Sequence, residues 1–141
     1  MIARLALLLA LAACAAEGPS IVVRDAYSYA PATGGGGVVY FTIENRGSRP
    51  DTLVDVQVSG ARVAMVHQQV AQGEMVVMRH VGPLPVPPHG SVVLEPGGFH
   101  VMTEGLERVP VAGDTLTVLA RFAGGQEVTV AAPVLPYGAE P

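Results

Sequence analysis

Residues Asp114 to Val134 read DTLTVLARFAGGQEVTVAAPV. Two short segments, DTLTVLARF and QEVTVAAPV, flank an Ala-Gly-Gly turn, and that combination predicts a closing β-hairpin. The same punctuation extends upstream. IVVRDAY from Ile21, VVYFTIEN from Val38 to Asn45, TLVDVQV at 52–58, RVAMVHQQ at 62–69, EMVVMRHV at 74–81 and SVVLE at 91–95 are all short and separated by turn formers. VVYFTIEN is dense in branched and aromatic side chains that suit a pleated surface. GPLPVPPHG at 82–90 has too many prolines for a central strand and is expected along an edge or in a loop. Nothing sustains a helical period. The list predicts an all-β, two-sheet antiparallel sandwich of seven to nine strands.

With 141 residues, the chain is expected to form one domain. Its start, MIARLALLLALAAC, places one cation, Arg4, before an apolar run from Leu5 to Ala13 that is short for a membrane span and has the form of a secretory signal. Leu11-Ala12-Ala13-Cys14 resembles a bacterial lipobox, which implies cleavage before Cys14 and its lipidation. Ordinary cleavage near Ala16, discarding Cys14, is the alternative. The expected organisation is a signal peptide at 1–13, a linker at 14–20, a globular domain at 21–135 and a frayed tail at 136–141. The mature protein then works outside the cytoplasm, held to a membrane by a lipid rather than a transmembrane helix.

Composition excludes several functions. Cys14 is the only cysteine, so the domain folds without internal disulfides and offers no thiolate to a metal or substrate. There is no lysine, and loss of Arg4 leaves seven arginines against twelve acidic residues, with no basic patch. Nucleic acid is not an expected partner. No nucleophile paired with a base is apparent, so the chain does not read as an enzyme.

Histidine and methionine are scarce, at four and five copies, and their spacing is informative. If the segment AMVHQQVAQGEMVVMRHV turns at Gln72-Gly73, His67 faces Met78 and Met65 faces His80, all on one side of the ribbon. In LEPGGFHVM, His100 and Met102 are two apart and share a side wherever the chain is extended. Two imidazoles and two thioethers make a soft, neutral donor set of the kind that favours Cu(I). Any one of these residues taken alone reads as core filler or a surface residue. The case lies in the spacing of the set. Met75 reads as packing and His89, between prolines and Gly90, as a turn residue.

A histidine, ten residues, a methionine, twenty-one residues, then His-x-Met is the pattern of His67, Met78, His100 and Met102. In this the chain resembles the periplasmic copper chaperone family written PCu(A)C. VVYFTIENRGSRPDTL resembles that family's early strand with its Asn-x-Gly loop and Asp-x-Leu, LEPGGFHVM its Leu-x-Pro-Gly-Gly-x-His-x-Met signature, and GDTLTVLARF the strand that follows. The resemblance covers roughly residues 20 to 135. It implies a cupredoxin-like sandwich of Greek-key type and one Cu(I) bound by His67, Met78, His100 and Met102. It further implies copper carriage outside the inner membrane, to the CuA centre of cytochrome c oxidase subunit II, with a Sco-type thiol partner in some systems. The His/Met-rich C-terminal extension of some members is not matched by AAPVLPYGAEP. A blue-copper electron carrier needs a cysteine ligand that this domain lacks. The rival from another class is a metal-free β-sandwich lipoprotein that binds a protein partner.

Overall fold

The computed structural model describes residues 20–31 and 36–141. The signal peptide and Cys14 lie outside the described residues. Among the described residues no helix forms and ten strands do: β1 (Ile21–Tyr29), β2 (Val38–Asn45), β3 (Asp51–Val58), β4 (Val63–Gln72), β5 (Met75–His80), β6 (Leu84–Val86), β7 (Gly90–Leu94), β8 (Phe99–Glu104), β9 (Thr115–Phe122) and β10 (Glu127–Leu135). They hydrogen-bond in the order β5-β4-β8-β7-β2-β1-β10-β9-β3-β6. One half of this sheet folds over the other, so that Val39, Phe41 and Ile43 of β2, Val66 of β4 and Val101 of β8 share a single core with Leu53 of β3, Val118 of β9 and Val134 of β10. The result is an all-β, cupredoxin-like sandwich. Burying each large side chain here contributes about 1.5–3 kcal/mol.

The closing hairpin is β9–β10. Glu127 pairs with Arg121 and Pro133 with Thr115, and Gly125, at φ 90°, returns its N–H to the Phe122 carbonyl at 2.9 Å. The proline-rich segment supplies only β6, a three-residue strand at the end of the sheet against β3. Most pairings are antiparallel; β1–β10, where the two halves join, and the single contact Leu94–Phe99 between β7 and β8 are parallel. The tail expected to fray is tied at one point, where the Tyr29 hydroxyl donates to the Ala139 carbonyl at 2.8 Å.

Two motif segments act as braces. The Asn45 side chain, 1% exposed, donates to the Arg49 carbonyl at 2.8 Å and the Val86 carbonyl at 3.4 Å and accepts from the Gly47 N–H at 2.9 Å. It thereby closes the loop after β2 on itself and onto β6. Asp51 accepts from the N–H groups of Thr52 (2.7 Å) and Gly124 (2.9 Å), fastening the start of β3 to the β9–β10 turn.

LEPGGFHVM interrupts what would otherwise be one long strand beside β2. Phe41 pairs with Leu94 and Val39 with Val101, so two steps along β2 correspond to seven along β7–β8. The five surplus residues form a turn in which Pro96 and Gly97 are central, Gly97 takes φ 84°, and the Gly98 N–H bonds the Glu95 carbonyl at 3.0 Å. A proline followed by a positive-φ glycine is the signature of a type II turn. An odd number of surplus residues reverses the alternation of faces. Leu94 and Val101 therefore both enter the core, and His100 and Met102 take the opposite face.

Candidate metal centre

The site lies on the face of β5-β4-β8 turned away from the core. The β4–β5 hairpin turns through Gly73-Glu74, with Gly73 at φ 65°, as a Gly-x two-residue turn requires. This displaces the expected pairing by two residues: His67 faces His80, and Gln69 faces Met78. A shift of two preserves the alternation, so Met65, His67, Met78 and His80 still share one side. Met78 sits diagonally from His67, within reach of a long side chain.

On its other edge β4 pairs with β8, placing His67 opposite His100 and Met65 opposite Met102. All four motif residues are thus gathered on adjacent strands. Sequence reasoning located the set but not its centre: His67 lies between two imidazoles, His80 and His100. Its ring meets that of His80 at 5.8 Å between centroids and 80°, and that of His100 at 6.0 Å and 68°. The signal for this lay in the length of the hairpin turn.

The donors differ in access. His100 is 3% exposed and Met78 is 52% exposed, with His67 and Met102 between them. The His100 Nδ1 lies 3.3 Å from the Gly98 carbonyl. A carbonyl only accepts, so Nδ1 carries the proton and Nε2 the lone pair available to a metal. The glycine turn consequently orients the imidazole it delivers.

His67 Nδ1 is buried without a hydrogen-bond partner. Burial, then the neighbouring His100 and His80, hold the His67 pKa below the usual imidazole range, opposed by the Glu104 carboxylate. The ring is therefore biased toward the neutral form that ligates metals. Among the described residues no three of His, Cys, Asp and Glu converge as a metal site. A metal held here must draw on the thioethers.

Other expectations fare unevenly. His89 is a turn residue, at φ 51°. Met75 does not pack: it is 65% exposed, because it begins the edge strand β5 immediately after the tip of the hairpin.

Fold and sequence place this protein among PCuAC domains. The copper-bound PCuAC domain from PmoF2 shares the fold with a TM-score of 0.70 at 24% identity, over 84% of this chain and 94% of that one. The apo PCuAC domain from PmoF1 gives 0.68 at 26% identity, over 82% and 93%. The solution structure of Cu(I)-DR1885 from Deinococcus radiodurans gives 0.67 at 30% identity, over 87% and 83%. Within that class, the chain belongs to the LpqE-like family, described as "Putative lipoprotein LpqE-like", whose model matches residues 21–134. It is also 29% identical to "Putative lipoprotein Lxx21020" of Leifsonia xyli subsp. xyli, over 94% of this chain and 86% of that protein.

Proposed function

We propose that this protein is a metallochaperone, not an enzyme, that binds one Cu(I) through His67, Met78, His100 and Met102. The observation that carries the reading is the His67 imidazole, whose buried Nδ1 lacks a partner on a face where thioethers accompany histidines. Leaving a buried polar atom unpaired costs about 1–3 kcal/mol, a penalty without purpose in a purely structural sheet. The Cu(I) state of DR1885 and the copper-bound state of the PmoF2 domain support copper as the cargo.

The ligands suit carriage. Imidazole and thioether are neutral, so binding requires no carboxylate or thiolate, and their softness favours Cu(I) over harder divalent ions. His100, buried and oriented by Gly98, anchors the ion from the inside; Met78 closes the site from an exposed edge strand and is the ligand a recipient displaces first. Delivery to the CuA centre of cytochrome c oxidase subunit II, with a Sco-type thiol partner, extends this reading. So does anchoring outside the cytoplasm by a lipid on Cys14.

Cu(I) titration of the purified protein against a competing chelator tests the assignment. One equivalent should bind, and Met78→Leu and Met102→Leu should each weaken binding by about tenfold or more while the fold survives, since leucine nearly conserves volume. No binding at all returns the protein to the metal-free reading, and binding unaffected by both substitutions overturns Met78 and Met102 as ligands.

A further inference from the structure

β4 carries a Met-x-His pair of its own, Met65 and His67, and both of its edges are paired with donor-bearing strands. On the β8 side, His100 and Met102 stand directly across from them. On the β5 side, His80 stands directly across from His67 and diagonally from Met65. The His67 ring is almost equally distant from both neighbouring imidazoles, at 5.8 Å from His80 and 6.0 Å from His100. The two flanks differ in access: His100 is buried whereas His80 is exposed. Met65 and His80 also line a shared cavity of about 230 Å³ that lies between them and β3. Its polar wall includes Asp55, whose carboxylate is paired with Arg121 at 2.7 Å.

We propose that Met65, His67 and His80 form a second, outer position for Cu(I), overlapping the first at His67, through which the ion enters and leaves. This rests on the Cu(I) assignment of the inner set. The ion remains Cu(I) throughout, and no electron is transferred. The exposed Met78 bond breaks first; bonds to Met65 and His80 then form as those to His100 and Met102 break, with His67 retained as the pivot. The relay moves copper away from the buried His100 to a position a recipient can reach, without displacing either strand. Two imidazoles and a thioether match the softness of the inner donors, so neither position is a deep trap relative to the other.

The test separates rate from affinity. The purified full-length protein is loaded with one equivalent of Cu(I) and mixed with excess bathocuproine disulfonate, and transfer is followed by stopped-flow absorbance. Equilibrium competition is measured in parallel. His80→Ala, at an exposed position, should leave the equilibrium affinity within about twofold but slow transfer by about tenfold, and Met65→Leu should act in the same direction. His80→Met, which restores a soft donor, should recover the rate. Transfer by His80→Ala at the wild-type rate overturns the relay. So does a fall in its affinity of about tenfold or more, which would make His80 a resident ligand. Failure of the unsubstituted protein to bind Cu(I) is read separately, at the loading step, and removes the inner assignment with the outer one.

Discussion

His67→Leu separates the requirements of folding from those of metal binding. In the metal-free protein the imidazole Nδ1 is buried without a partner, between two other rings. An unpaired buried polar atom costs about 1–3 kcal/mol; because the His67 residue as a whole is only half-buried, the lower end applies, about 1 kcal/mol. Leucine removes that penalty and fills much of the same volume on a face already bordered by Met65 and Met102. The variant should therefore match or exceed the stability of the native protein by up to about 1 kcal/mol, raising Tm by ~4 °C in a domain of this size. Its response to Cu(I) should be opposite. A ligand present at about 100 times its Kd stabilises the folded state by about 2.7 kcal/mol, and that increment should vanish in the variant. Calorimetry of both proteins, with and without Cu(I) under reducing conditions, reads both quantities. A metal-free variant destabilised by more than about 1 kcal/mol would show that His67 serves packing, and a preserved Cu(I)-dependent rise in Tm would show that it is not a ligand.

Three further outcomes follow from other parts of the molecule. Asn45→Ala leaves two carbonyls and one N–H of a buried loop without their partner and should cost about 2–3 kcal/mol in chemical denaturation, with an unchanged m-value. Gly36→Ala would set a Cβ 2.3 Å from the Thr103 carbonyl oxygen, next to Met102; it should lower stability by about 1–3 kcal/mol and weaken Cu(I) binding with it, and an unchanged Tm would contradict this. Tyr27 packs against Tyr29 and Tyr40, and burial, with the neighbouring phenols, pushes its pKa up to about 12. The folded protein then holds a proton that the unfolded chain releases near 10.0, so this contribution is complete below pH 10 and is lost as the pH rises through about 12. Absorbance titration should detect the late tyrosine, and Tyr27→Phe should lessen the loss of stability between those values.

Much of the fold was legible because it is written locally. Turn formers divided the chain into strands, the Ala-Gly-Gly hairpin fell where expected, and the proline-rich segment supplies no more than the short edge strand β6 and its flanking loops. Less local features were not legible. The hairpin carrying His67 turns one residue later than expected, because Gly73 occupies the first central position of the turn rather than the second, and this displaces the cross-strand pairing by two. The even displacement kept His67 and Met78 on one face while exchanging their direct partners. Exposure of Met75 followed from β5 being an edge strand, a consequence of sheet order that composition does not encode.

The sequence by itself determined the donor types, their soft and neutral character, and the alternation that keeps His100 with Met102 and His67 with Met65. These depend on side-chain chemistry and on the period of an extended chain. Only the tertiary structure decided that β8 pairs with β4, that five surplus residues at Pro96-Gly97 turn His100 away from the core, and that His67 stands between a buried and an exposed imidazole. Those outcomes depend on strand order and register between segments distant in the chain. They are set by which apolar faces close the core together, a property of the whole sandwich rather than of any one segment.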